Sequence, residues 1–170
     1  AAYIFKYDTL SMAWEEEANI FASDAGSSDR LGDAVDIDGE FAVVGVAASD
    51  NENGSSAGAV YVYQNVDTAW VEVAKLLSSD GHDVQNFGHS LDIAADFLIV
   101  GAPNDNEHGL NAGAAYIFQY SDSSWSEVAK LTASDAAVDD LFSYAVAMNS
   151  EYAFAGAVHD DTQGVFTGSV

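Results

Sequence analysis

From Trp70 to Asp80 the chain reads WVEVAKLLSSD, and two other stretches repeat it: WEEEANIFASD from Trp14 to Asp24 and WSEVAKLTASD from Trp125 to Asp135. The tryptophans stand 56 and 55 residues apart, and Gly45, Gly101 and Gly156 keep the same intervals. Working outward, AAYIFKY at the start matches AVYVYQN from Ala59 and AAYIFQY from Ala114. A fixed period decides architecture before any single element does. Residues 1–170 are therefore one segment, with repeats over approximately 1–56, 57–111 and 112–166. Thr167-Gly168-Ser169-Val170, which matches Ala57-Gly58-Ala59-Val60, starts the next repeat.

Each unit holds four short runs that fit strands, bounded by Gly, Asp, Asn or Ser. In the middle unit strand A covers 87–93, B covers 97–102, C covers 114–118 (59–63 in the unit before) and D covers 70–76. A carries large residues on one face (Phe87, Leu91, Ile93) and small ones on the other (Gly88, Ser90). B (FLIVGA, FAVVGV, YAFAGA) and C are apolar on both faces, and only D carries charge within its run, at Glu72 and Lys75. A two-layer sandwich would alternate apolar with polar along every strand. Sheets buried on both faces must instead stack between similar sheets, with the half-polar D at the outer rim. That arrangement is a blade of a β-propeller; a solenoid of β-coils is the runner-up.

Lys+Arg 4 against Asp+Glu 28 gives a net charge of −24. Four basic side chains cannot form the cationic face that phosphate binding needs, which excludes a nucleic-acid partner. A hydrophobic share of 49% excludes disorder, and zero Cys excludes disulfides, thiol catalysis and Cys-based metal sites. The longest apolar runs, 41–48 and 97–103, are too short to span a bilayer as helices. With no initiator Met and no leader, the chain is expected to be a mature product or a piece of something longer.

Phe87-Gly88 followed by Gly101-Ala102-Pro103 resembles the FG-GAP repeat of the integrin alpha-subunit propeller and its many bacterial relatives. Leu31-Gly32 with Gly45-Val46-Ala47, and Phe142-Ser143 with Gly156-Ala157-Val158, match in degenerate form. The resemblance spans essentially the whole chain. It implies an all-β fold of four-stranded antiparallel propeller blades and a non-catalytic binding or adhesion module, secreted or on the cell surface. Many members of the family carry a calcium loop of the type DxDxDGxxD between A and B. Here that connection is only a tight hairpin, as at Asp38-Gly39, where Gly supplies a positive φ.

The strand order along the chain is C-D, A-B-C-D, A-B-C-D, A-B, three blade equivalents with one blade split between the ends. Propellers close with roughly four to eight blades. The exposed C and B edges therefore invite completion by another copy or by the rest of a longer parent chain. Completion could give a ring of about seven blades from one long chain, a ring shared by two copies, or head-to-tail propagation into a fibre.

The B-to-C loops are the most polar segments: Ser49 to Gly54, Asn104 to Gly109 and His159 to Gly164. Alternating oxygen side chains followed by Gly suit a hard cation, so Asp50, Glu52, Asp105, Glu107, Asp160 and Asp161 are the candidate ligands for calcium. The competing and preferred reading is a solvated turn whose Asp and Asn side chains cap their own backbone. The D-to-A loops repeat an acid at Asp24, Asp80 and Asp135, read as an Asx turn ordering the step between blades. His82, His89, His108 and His159 occupy unlike positions in the repeat and make no zinc spacing, and no GxSxG elbow occurs. Asn53-Gly54-Ser55 is a formal glycosylation sequon, and the acidity fits a saline setting or a cation-bridged adhesive surface. The expected function is a non-catalytic extracellular binding or adhesion module whose partners are other copies of itself or a longer chain and a cell-surface protein or glycan. The rival readings are a structural subunit assembling by strand complementation and an accessory domain of a larger secreted enzyme.

Overall fold

The computed structural model describes residues 1–24, 26 and 29–161. The expected next repeat at 167–170 and the Thr162-Gln163-Gly164 end of the last polar loop lie outside the described residues.

Every regular element described is a strand, and the order is the one the repeat demands. A two-stranded sheet of β1 (Ala2–Asp8) and β2 (Ala13–Ile20) comes first. A four-stranded sheet follows, β3 (Ala34–Asp38), β4 (Phe41–Val46), β5 (Ala59–Val66) and β6 (Ala69–Leu76). A second has β7 (Ser90–Ala94), β8 (Phe97–Ala102), β9 (Ala114–Ser121) and β10 (Ser124–Leu131). The last sheet pairs β11 (Phe142–Met148) with β12 (Ala153–Ala157). All ladders are antiparallel meanders, so the sheets are C-D, A-B-C-D, A-B-C-D and A-B.

Strand A starts at Ser90 rather than Phe87, because Gly88 turns the chain at φ +90 just before it. Phe87, fully buried, then acts as a wedge, with its ring edge-on to Tyr116 and Phe118. The Asp38-Gly39 hairpin matches its sequence reading, with Gly39 at φ +56.

The sheets stack face to face. Along β4, Ala42, Val44 and Val46 pack with Ala2 and Ile20 of the first sheet, while Phe41 and Val43 pack with Leu91, Ile93 and Leu98 of the third. Both faces of the central strands are therefore core, as their sequences require. The A strands β3, β7 and β11 approach one another closely while the D strands diverge, which gives the fan of a propeller. Close approach has a steric basis: a side chain at Gly45 would run into the Gly88 carbonyl, and one at Gly101 into Ser90 and Ser143.

Each C-D pair carries a β-bulge at the same place, leaving Glu17, Val73 and Val128 unpaired in the ladder. The bulge has a chemical consequence. Residues three apart on a regular strand point to opposite faces, but the extra residue rotates Glu72 and Lys75 onto one face, opposite Tyr63 and Tyr61. Glu127 and Lys130 are set opposite Phe118 and Tyr116 in the same way, and Glu16 and Asn19 opposite Phe5 and Tyr3.

Candidate functional site

The acid that recurs in each D-to-A loop turns out to bridge blades. Tyr61 donates to Asp24 Oδ1 at 2.5 Å, and Lys75 Nζ lies 2.6 Å from Asp24 Oδ2. One blade further, Tyr116 donates to Asp80 Oδ1 at 2.7 Å while Lys130 Nζ lies 2.6 Å from Asp80 Oδ2. Beside each acid a serine repeats a second bond. Ser23 donates through its N–H and hydroxyl to Glu72 at 2.8 and 2.7 Å, and Ser79 to Glu127 at 3.0 and 2.7 Å. The Ser-Asp pair is thus a latch reaching from one D-to-A loop onto the C and D strands of the next blade.

The second latch is buried and more elaborate. Asp105 accepts from Gln85 at 2.8 Å and stands 2.9 Å from the Tyr116 hydroxyl, whose one proton is shared between Asp80 and Asp105, and Lys130 Nζ stands 3.0 Å from Asp105 and 2.9 Å from Glu107. Burial pushes the Asp105 carboxyl up, but the Glu107 N–H, Gln85, Lys130 and Tyr116 outweigh it and hold the group below its ordinary range. Asp80 shows the same contest, burial against Lys130 and Tyr116, with the same downward outcome. Asp24 is held down by Lys75 and then Tyr61. Tyr61 is pushed up to about 12 by burial and then by the Asp24 carboxylate.

A different bond joins the A strands. Asp36 accepts from the Ile93 N–H at 2.8 Å and Asp92 from the Met148 N–H at 2.6 Å. Asp92 is raised by burial and by the neighbouring Asp36.

The six residues expected to hold a cation meet different fates. Asp50 is exposed and spends Oδ1 on the Ser56 N–H, and Glu52 is exposed. Asp105 is buried in the latch just described, and Glu107 pairs with Lys130. Asp160 is buried and Asp161 exposed. Glu107 and Asp105 are thus brought together around Lys130, a cation the protein supplies itself. Among the described residues no group of three His, Asp or Glu side chains is arranged to hold a metal ion. In the ladder of turn bonds Ser49, not Asp50, takes the place of Asp105: Gly58 donates to the Ser49 carbonyl and Gly113 to that of Asp105.

The polar loops interlock across blades along one rim. Asn53 Nδ2 donates to the Ser78 carbonyl, the Ser55 N–H to Asp83, and Asn111 Nδ2 to Asp139. The histidines are dispersed. His89 lies against Tyr144 with ring centroids 4.6 Å apart and planes tilted by 54° and is lowered by burial, while His108 is exposed in a B-to-C loop. The tryptophans follow their blades: Trp70 and Trp125 pack against the two cores, whereas Trp14 on the first sheet is exposed.

At the first sheet lies a groove of about 460 Å³, lined by Ala2, Ile4, Phe5, Val35, Ile37 and Val44 among others. Its floor is the apolar face of β3 and β4 and its wall is the edge of β1, which has no ladder partner among the described residues.

Sequence reasoning found the latch acids but assigned them to turns within their own loop. The signal available was the coupling of Asp24, Asp80 and Asp135 to the tyrosine and lysine of the following repeat, Tyr61 with Lys75 and Tyr116 with Lys130. A family model described as FG-GAP repeat matches the chain three times, over residues 14–63, 70–118 and 125–170. Each match begins at a D strand and runs to the next C strand where the strands are described, so the repeating unit straddles two blades. No curated protein matches the chain.

Proposed function

Because the chain belongs to the FG-GAP repeat family, we propose that it is a non-catalytic binding module of propeller type. In this reading it is displayed outside the cell or on its surface and holds a protein or glycan ligand on the polar loops of one rim. The observation that carries the reading is how the ionisable groups are spent. Tyr61, Tyr116, Lys75, Lys130, Asp24 and Asp80 are all committed to bonds that fasten one blade to the next, and Asp105 is spent on Tyr116 and Lys130 within its own blade. The exposed acids and amides stand on loops 47–58 and 103–113, which are long, polar and anchored to a rigid frame, the usual place for recognition.

Loop exchange tests this. Residues 104–109 are replaced by the sequence of 49–54, and the parent and the chimaera are probed on a printed glycan array and on immobilised matrix proteins, with Ca²⁺ and with EDTA. Saturable binding by the parent that the chimaera loses supports the reading, and absence of binding on every surface sinks it.

A further inference from the structure

We propose that the cleft between β6 and the β9–β10 hairpin binds a saccharide ring, stacked on Tyr120 and Trp125. The cleft lies at the C-D hairpin end of the blades, opposite the polar loops, so the proposal goes beyond the loop reading and uses none of its residues. Both sheets that form it are complete four-stranded blades, β3 to β6 and β7 to β10.

An unpaired donor points to the site. Two joints in the chain set a tryptophan near the start of a D strand against the preceding blade. At the first, Trp70 Nε1 donates to Glu17 Oε1 at 3.2 Å, and Lys6 Nζ lies 3.3 Å from Glu17 Oε2. At the second, Val73 stands in the place of Glu17 and Gln64 in that of Lys6. Both charges are gone, and Trp125 Nε1 is buried with no hydrogen-bond partner among the described residues. A buried donor without an acceptor is costly, so the joint gains stability from any ligand that supplies one.

Val73 and Trp125 both line a cavity of about 510 Å³, with Gln64 on the side of Val73 and Tyr120, Ser123 and Ser124 on the side of Trp125. That volume falls within the roughly 300–1,000 Å³ of small-molecule sites. The Tyr120 and Trp125 ring centroids lie 5.3 Å apart, and Phe41 meets both edge-on at 4.8 and 5.4 Å. Packing from behind sets the two rings before a ligand arrives, which lowers the cost of ordering them.

The chemistry of the walls narrows the occupant. Asp+Glu 28 against Lys+Arg 4 repels an anion at long range. A cation finds no acidic side chain among the lining residues, and an indole N–H only donates. What remains is a neutral molecule with an apolar face for the rings and oxygens that accept from Trp125 Nε1 and exchange hydrogen bonds with the Gln64 amide. A pyranose carries both, C–H groups on its face and hydroxyls around its rim. Because the N–H lies beneath the cavity surface, an entering hydroxyl parts the side chains over it, a rotamer change of a kind common at binding surfaces.

The test follows the full chain, labelled with the heavy nitrogen isotope, by nuclear magnetic resonance. Its three tryptophans give three indole N–H signals, assigned from Trp14→Phe and Trp125→Phe. Glucose, galactose, mannose and N-acetylglucosamine are titrated into the millimolar range, each free and as its methyl glycoside. At least one is expected to move the Trp125 signal saturably and leave that of Trp14, exposed on the first sheet, in place. Binding of the glycoside as well assigns the cleft to the end of a glycan chain, and binding of the free sugar alone to a monosaccharide. Gln64→Ala is expected to weaken the response about fivefold. The Gln64→Lys, Val73→Glu double variant rebuilds the first joint; it is expected to carry the Trp125 signal towards that of Trp70 and to abolish the sugar response without lowering the melting temperature. No saturable shift with any sugar overturns the proposal. So does an equal shift with glycerol, a response to tetramethylammonium and to no sugar, or a double variant that binds as the parent does. The two readings fail separately: the 104–109 chimaera is expected to keep the Trp125 response, and a chain that shows this response but binds nothing on its loops refutes the functional reading alone.

Discussion

Replacing Gly88 by Ala tests how the blades are held together. At φ +90 an L-residue pays about 1–2 kcal/mol for the left-handed backbone. The added Cβ would also stand 2.6 Å from the Ala59 carbonyl oxygen, 3.2 Å from Val60 Cγ2 and 3.3 Å from the Val46 N. The nearest of these is backbone of the same central sheet that packs against both neighbours, so relief requires the blade contact to open, at roughly 1–3 kcal/mol more. Gly39→Ala is the matched control: φ is +56 and nothing lies within 4 Å of the new Cβ, so only the backbone cost applies. The difference between the two variants isolates the steric part, about 1–3 kcal/mol. In urea, followed by tryptophan fluorescence, that separates their midpoints by about 0.5–1.5 M at a slope typical of a small domain. Equal midpoints, or a Gly88→Ala protein as stable as the parent, would refute the claim that the FG turn is a tight contact between blades.

Acid should loosen the stack. Asp24, Asp80 and Asp105 are held below their ordinary range, so their stabilisation is present above about pH 4 and is lost as pH falls through the folded values. Asp92, raised, contributes in the opposite sense. Thermal melts between about pH 6 and 3 are expected to fall in midpoint, and Asp105→Asn to flatten that slope. At the alkaline end Tyr61 favours its protonated form. Its contribution holds to about pH 10 and is lost as pH rises towards about 12, visible as delayed tyrosinate absorbance that Tyr61→Phe reduces by one residue's share, Tyr63 and Tyr116 being raised by burial as well. Lys130→Met leaves the buried Asp105 without its cation and should cost up to about 3–5 kcal/mol. Lys6→Met, whose Glu17 pair lies at the surface, should move the midpoint far less in the same denaturation series. Because the Lys130 ammonium already occupies the point between Asp80, Asp105 and Glu107, EDTA and Ca²⁺ are both expected to leave the melting temperature of the chain unchanged. A rise with Ca²⁺ alone would place a cation on the loops.

The sequence determined the blade. FLIVGA and FAVVGV are apolar at every position, a strand with that pattern has to be covered on both sides, and the 56- and 55-residue intervals give its neighbours the same need. Those are local properties of side-chain type and order, and they fix strand order, hairpins and the stacked architecture without reference to distance. The identity of Asp24 and Asp80 as latches was not local in this sense. Each bonds to residues 37 and 36 positions further on, in a strand of the next sheet, and nothing in the intervening chain records that reach. Nor could alternation along WVEVAKL place Glu72 beside Lys75, since a regular strand sends them to opposite faces. Only the bulge at Val73, set by how β6 pairs with β5, rotates both onto the face that meets the preceding blade. The tertiary structure therefore decided which acids serve as fasteners, because that follows from the packing of one sheet on another.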